Sequence, residues 1–418
     1  MADGPTVLIA AQSGRALAEA ARRAGFRPLV ADLFADLDTR RAAEAVEQVP
    51  GRIGAGFRLK DLIPALERLA AAAASPPVGL VLGPGFEDRA RAVEVLDRRF
   101  GMIGCGRAAV AAAKSPERLA ALCLELGVPH PPVRRDVPDD GGTWIRKRIG
   151  ASGGAHVRVA RRIGAVRRGY YVQPLIPGRS ASLTAFAWRG ADGERGLAPV
   201  GFALQIADPT EGHPFRFGGL AAPAAPPPTI AAAVIDAARR LAAAIGLVGI
   251  VTFDFLIHDR TAVGDASGAP DGSDTWTLLE INPRPGASLD VMDRTGVPLF
   301  AMHVASVRDG PVDPGSLPAT VRALRTVYAD RPIERLPAID WPEWVRDRSE
   351  AGVSIGAGEP IATVVADAPG TPDALNEAMN EAERRIALVR RLAADDLNDK
   401  RRDVDDAPDR EVMGDLES

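Results

Sequence analysis

The chain has 418 residues, 46% of them hydrophobic and 25% charged, with a formal net charge of −4. That length exceeds one ordinary hydrophobic core, so a soluble protein of two to four subdomains is expected. The charge gives no basic footprint for nucleic acid, and no apolar run reaches the roughly 18 residues that a membrane span needs.

Neither of the two cysteines, Cys105 and Cys123, sits in a CxxC or zinc spacing. The opening MADGPTVLIAA lacks a basic region followed by a long apolar core, so no secretory leader is expected. Both features suit a reducing, cytoplasmic compartment.

In chain order, the first third reads βαβ. Residues 6–10 are a short apolar strand, QSGRALAEAARRAG is a loop feeding an amphipathic helix, and FRPLVAD is a second strand ending in Asp32. VGLVLGPG is a strand broken by a Gly/Pro loop, and FGMIGCG reads as another. Strands alternating with helices predict a parallel sheet whose carboxyl ends would gather Gln12, Ser13, Gly83 to Gly85 and Gly104 to Gly106 on one edge.

From Lys114 the texture changes. KSPERLAALCLELG is a capped helix, with Ser115 as N-cap, Pro116 at the first helical position and Gly127 at the end. TWIRKRI is a strand, GASGGAH a flexible loop and VRVA a strand. GYYVQPLIPG and SASLTAFAWRG are two more. A Pro-rich loop is expected over residues 221–228, then a helix over 230–244. GIVTFDFLIHD and TWTLLEINPRPG follow as alternating strands joined by a Gly/Asp/Ser-rich connection, 260–274. Past residue 315 come ALRTVYA, a Trp/Pro-rich loop, GVSIGAGEPIATVVADAPG and a long helix from about residue 371. The tail from Asp395 is rich in Asp and Arg and reads as disordered or frayed helix.

Two groups of residues carry chemistry. Lys147 closes a strand directly before the glycine-rich loop, where an ammonium and inward-pointing N–H groups can hold phosphate. An ordinary hairpin with a solvated lysine between Arg146 and Arg148 accounts for it equally well. The second group is Asp254 in TFDF and Glu280 in LLEIN, each alternating with apolar neighbours. Asn282, two residues past Glu280, faces the same side of its strand. If the strands are neighbours, two carboxylates and an amide converge. An all-oxygen set of this kind suits Mg²⁺, although pairing with Arg284 and other arginines would also explain the acids.

Together these parts resemble the ATP-grasp superfamily, most clearly over residues 114–290. The resemblance implies an α/β fold with a Rossmann-like parallel-sheet domain (1–112), a first ATP-grasp lobe with the glycine-rich loop (113–176) and a second lobe with the metal site (177–312). A C-terminal α+β extension (313–394) and the tail (395–418) complete it. It further implies that Lys114, Lys147, Gly150, Ser152, Gly153 and Gly154 hold the phosphates of ATP. Gln173, Leu175 and Ile176 would lie by the adenine, although Pro174 stands where many members carry an acid. Asp254, Glu280 and Asn282 would hold Mg²⁺, two ions in all. Arg284 would steady the transferring group, with His213 and Arg216 as further candidates for proton transfer and carboxylate binding.

A narrower set, including GCGRAAV, FRFGGL, LLEINPRPGASLD and GEPIATVVADAPGT, resembles predicted ATP-dependent carboligases related to biotin carboxylase. Those occur in methylotrophs and methanogens and are linked to tetrahydromethanopterin and methanofuran-type cofactors. The implied activity is an ADP-forming carboxylate–amine ligase working through an acyl phosphate on small-molecule substrates, with a homodimer suggested by analogy. A bicarbonate-activating carboligase and a non-catalytic nucleotide-binding scaffold are the alternatives.

Overall fold

Six consecutive buried residues, Thr6–Ala11, form the centre of a parallel sheet, since a strand covered on both faces has no polar side to show. The computed structural model describes residues 4–54, 56–258, 275–294, 296 and 298–394. The expected connection 260–274 and the tail from Asp395 lie outside them. Thr6–Ala11 pairs with Arg27–Asp32 and Leu80–Leu82, and Ala45–Gln48 forms the outer edge. Helices Arg15–Arg23, Leu59–Ala72 and Ala90–Phe100 pack on this sheet.

FGMIGCG, expected as a strand, supplies a single bridge between Leu80 and Met102. Gly101 and Gly104 there take φ of 68° and 147°, which breaks the extended run. The edge strand Ala45–Gln48 has no fully buried residue, so the sequence shows no period for it.

The helix Pro116–Glu125 starts as its residues dictate: Ser115 accepts from the Arg118 N–H at 3.4 Å and Pro116 takes the first turn. A small antiparallel sheet follows, with Tyr170–Pro174 beside Trp144–Arg148 beside Arg158–Val159. The glycine-rich segment links the last two.

The rest of the chain builds one eight-stranded antiparallel sheet. Its order is Thr275–Asn282, Gly249–His258, Arg179–Arg189, Arg195–Ala207, Phe217–Ala224, Val321–Tyr328, Pro360–Ala368 and Val345–Arg346. Residues 221–224, expected in a Pro-rich loop, are strand instead, because pairing with 321–328 on one side and 195–207 on the other overrides local composition. The sheet's last three strands, Val321–Tyr328, Pro360–Ala368 and Val345–Arg346, come from residues 313–394.

Helix Pro228–Ile245 packs on this sheet with Leu183, Phe253 and Phe255. Phe300 and Val304 of helix Leu299–Arg308 join Phe186 and Ile250 to the core of the first sheet. His303 of that helix is 1% exposed; its Nδ1 accepts from the Ile250 N–H at 2.9 Å and its Nε2 faces the Ile103 carbonyl at 3.0 Å. Burial lowers its pKa to about 4, which keeps the ring neutral.

The C-terminal extension folds back on the first domain. Buried Arg15 donates to Asp290 and, at 2.9 Å and 3.1 Å, to Asp347. Arg348 meets Asp38, and its carbonyl accepts from the Leu37 N–H at 3.0 Å.

Two outcomes follow from these contacts. Arg15→Leu strands two largely buried carboxylates together and should lower the unfolding free energy by about 3 kcal/mol, read from denaturant midpoints, with faster proteolysis around residues 346–352. His130, His156 and His303 are each lowered to about 4. Their stability contribution is complete above the unfolded value near 6.5 and is lost as pH falls toward 4, because only the unfolded chain takes up the protons. Asp32 and Asp36, raised to about 6 and 7 by burial, act in the opposite sense over the same window, so the histidine contribution is read as a difference: from pH 6.5 to 4 the thermal midpoint of the wild type should lose ground relative to that of His303→Gln.

Candidate active site

The register of strands Gly249–His258 and Thr275–Asn282 sets Asp254 opposite Glu280 and Thr252 opposite Asn282. A bulge follows: Phe255 pairs with Leu278, so Leu279 is an extra residue on the second strand. Leu279 and Glu280 thereby both reach the cleft, which strict alternation would forbid.

Two facing carboxylates in a largely buried place cannot both ionise cheaply. Burial, and then Glu280, pushes the Asp254 carboxyl well above its usual range. Burial acts on Glu280 as well, but Lys114, Lys147 and a hydrogen bond with Asp254 outweigh it and bring it to about 2. The pair thus carries one negative charge, on Glu280.

Lys114 ends helix Arg107–Lys114, donates to Asn282 Oδ1 at 2.7 Å and lies 3.5 Å from Glu280. Asn282 Nδ2 donates to Asp254 at 2.9 Å and to Glu280 at 3.3 Å. Asp254 Oδ1 is buried and has no hydrogen-bond partner among the described residues. An orphaned carboxylate oxygen beside a second carboxylate fits a hard cation, with Asp254, Glu280 and Asn282 as oxygen donors. Among the described residues no group of three His, Cys, Asp or Glu side chains could hold a metal ion, so Asn282 is needed to complete the set.

Asp254 and Glu280 form one wall of a cavity of about 450 Å³ between the small sheet and the large one. Lys147 reaches it from the small sheet; burial lowers its pKa, Glu280 opposes that, and Lys114 adds to it. Gly153, Gly154 and His156 line it from the glycine-rich segment, and Gln173, Leu175 and Ile176 from the strand end, with Leu256 and Ile206 across from them. Gln173 donates to the Pro131 carbonyl at 3.2 Å while its buried Oε1 has no partner among the described residues. An apolar slot with a few aimed polar atoms suits a flat heteroaromatic ring. His156 is neutral, held near 4 by burial, and its Nδ1 is another buried orphan.

Of the other expected site residues, only Arg216 lines the cavity. Gly150 packs on Asp88 of the first domain, and Ser152 is half-buried and does not line the cavity. His213 is outside the cavity, 2.7 Å from Arg158 and 2.9 Å from the Ala155 carbonyl, where it latches the glycine segment to the hairpin below. Arg216 lines the cavity, but its guanidinium is engaged by Asp208 and stacks 3.9 Å from the Tyr328 ring centroid. Arg284 points away from the cavity to Glu87, with Nε and Nη2 at 2.8 Å and 2.7 Å. Glu87 has no place in the sequence-based site. Its signal is an acid just after the Gly/Pro break that ends strand Leu80–Leu82.

Closure of the glycine segment depends on Gly154. Its φ is +68°, and a Cβ there would lie 1.8 Å from the Phe215 carbonyl oxygen, while the Phe217 N–H donates to Gly153 O at 3.0 Å. Gly154→Ala should break that bond, seen as faster hydrogen exchange at the Phe217 amide with little change in the exchange of the core strands.

Residues 121–288 match the family model of the ATP-grasp domain. No curated protein matches the sequence. Among solved structures, the biotin carboxylase–β,γ-ATP complex from Campylobacter jejuni is 16% identical with a TM-score of 0.63, over 91% of this chain and 91% of that one. The ADP complex of purK, an N5-carboxyaminoimidazole ribonucleotide synthetase, is 15% identical with a TM-score of 0.61, over 93% and 98%. The biotin carboxylase domain of 2-oxoglutarate carboxylase from Hydrogenobacter thermophilus, a dimer with MgADP, ADP and bicarbonate, is 13% identical with a TM-score of 0.63, over 90% and 89%. The chain spans 41% of a single-chain, multi-domain long-chain acyl-CoA carboxylase, at 17% identity and a TM-score of 0.65 over 93% of its own length. Residues 121–288 therefore match an ATP-grasp domain, in a chain whose fold over 91–93% of its length is similar to that of a biotin carboxylase and of an N5-carboxyaminoimidazole ribonucleotide synthetase.

Proposed function

We propose that the chain is an ATP-dependent, ADP-forming carboxylate–amine ligase. The observation that carries this is the juxtaposition of Asp254 and Glu280 across two strands at the wall of a cavity that Lys147 and Gly153–Gly154 also line. The ring of ATP would lie along Gln173 to Ile176, with its phosphates toward Lys147 and the glycine segment. Mg²⁺, when bound, would offset charge on the phosphate oxygens. Asp254, Glu280 and Asn282 would hold it, Asp254 giving up its proton. Asn282 now offers the acids its NH₂, so to ligate through oxygen it must turn its amide over and release Lys114. The ammonium so freed would face the phosphates, the role the resemblance implies for it.

The reaction needs no nucleophile from the protein. A substrate carboxylate oxygen attacks the γ-phosphorus as ADP leaves, giving an acyl phosphate. An amine nitrogen then attacks the carbonyl carbon, phosphate departs with the bonding electrons, and the nitrogen loses a proton. Positioning and electrostatics supply the rate. The finer assignment, a step such as glutamate addition in tetrahydromethanopterin or methanofuran-type cofactor synthesis, rests on the sequence resemblance alone. Metabolite profiling of a deletion strain tests it, through accumulation of the unligated precursor.

The likeness to biotin carboxylases favours one other reading, bicarbonate as the phosphate acceptor. ADP release that rises with bicarbonate and biotin, and not with carboxylate–amine pairs, would select it.

Calorimetry with Mg²⁺ and ATP, followed by a coupled ADP assay across carboxylate–amine pairs, tests the ligase reading. A chain that binds no nucleotide and releases no ADP would sink it. Glu280→Gln removes one charged metal ligand and should slow turnover by at least about 100-fold, equivalent to several kcal/mol of transition-state stabilisation.

A further inference from the structure

The loop 83–88 of the first domain touches two parts of the candidate site. Glu87, 6% exposed, gives one carboxylate oxygen to Arg284 and the other to the Gly85 N–H at 2.8 Å. Its neighbour Asp88 lies under the start of the glycine segment, where a Cβ on Gly150 would come 2.5 Å from the Asp88 Cβ. Burial raises the Glu87 carboxyl, but Arg284 and then Lys114 bring it below its ordinary value, so it is charged.

The geometry points to Glu87 as a positioning residue that holds the Arg284 guanidinium away from Asp254 and Glu280, a role that rests on the ligase reading. Arg284 stands two residues past Asn282, and its charge already acts on Asp254. A mostly buried guanidinium that loses its carboxylate must find another. The acid within its field is Asp254, and against that carboxyl it would occupy the place a divalent cation needs. Glu87 therefore keeps the metal site open while leaving Arg284 at the strand end beside it.

Glu87→Gln keeps the shape and the acceptor for Gly85 while deleting the charge. It should lower kcat about tenfold or more with KM for ATP changed less than about twofold. In calorimetric titrations of Mg²⁺ into chain plus ADP, the half-saturating Mg²⁺ should rise at least about threefold, and Glu87→Asp should recover part of both losses. In an Arg284→Met background, Glu87→Gln should add less than about twofold to either readout, since there is no guanidinium left to stray. Equal losses in both backgrounds, or a lower thermal midpoint with kcat and Mg²⁺ requirement unchanged, would overturn the assignment. If the wild type releases no ADP, the ligase reading falls and the Mg²⁺–ADP titrations still decide Glu87. A wild type that takes up no Mg²⁺ with ADP sinks both.

Discussion

Asp254 and Glu280 are the constraint on which the rest of the site depends. Two like charges about 4 Å apart repel by about 4 kcal/mol at an effective dielectric of 20, and antiparallel pairing gives the two strands no way to separate them. The fold meets this with a proton on Asp254, two lysines near Glu280 and an amide between the acids. Lys114 comes from a helix, Lys147 from the small sheet and Asn282 from the same strand as Glu280. The helix and the small sheet must both dock on this strand pair before the acids are enclosed, so assembling the site and closing the domains against one another are the same event.

The bulge at Leu279 is part of that solution. Regular alternation would put Leu279 in the core and leave Glu280 alone on the cleft face. The extra residue sends an apolar side chain to the cavity beside the acid. One strand thus supplies a ligand and a hydrophobic contact for the same occupant. The core below stays filled by Leu278 and Ile281, 2% and 0% exposed.

Much of this was legible in the sequence because it is local. Alternation in TFDF and LLEIN predicts the face that Asp254, Glu280 and Asn282 share, and the Ser115–Pro116 cap and the apolar run 6–10 announce their elements. What stayed hidden depends on long-range partners. The bulge exists only in the pairing of two strands, and residues 221–224 become strand only because 321–328 lies beside them. His213 reads as a loop histidine near a cleft, yet its contacts make it a latch on Arg158 and Ala155. Arg284 reads as a cation for the transferring group or as a partner for Asp254 and Glu280. Its partner Glu87 is 197 residues away in sequence, and no pattern around either residue links them.

Charge balance carries the metal argument one step further on the proposed reading. Lys114, Lys147 and Arg284 stand against Asp254, Glu280 and Glu87, and these six cancel once Asp254 gives up its proton. The protein part of the site is then neutral. A nucleoside triphosphate adds roughly four negative charges, of which one divalent ion cancels half. The other half must come from a second ion or from cations borrowed from the surroundings. Arg216 is committed to Asp208 and Tyr328, His156 is neutral, and Arg284 is held by Glu87. With those groups engaged, a second divalent ion beside the one that Asp254, Glu280 and Asn282 would hold would leave no large uncompensated charge in a partly dry cavity, so charge balance favours two ions on the proposed reading.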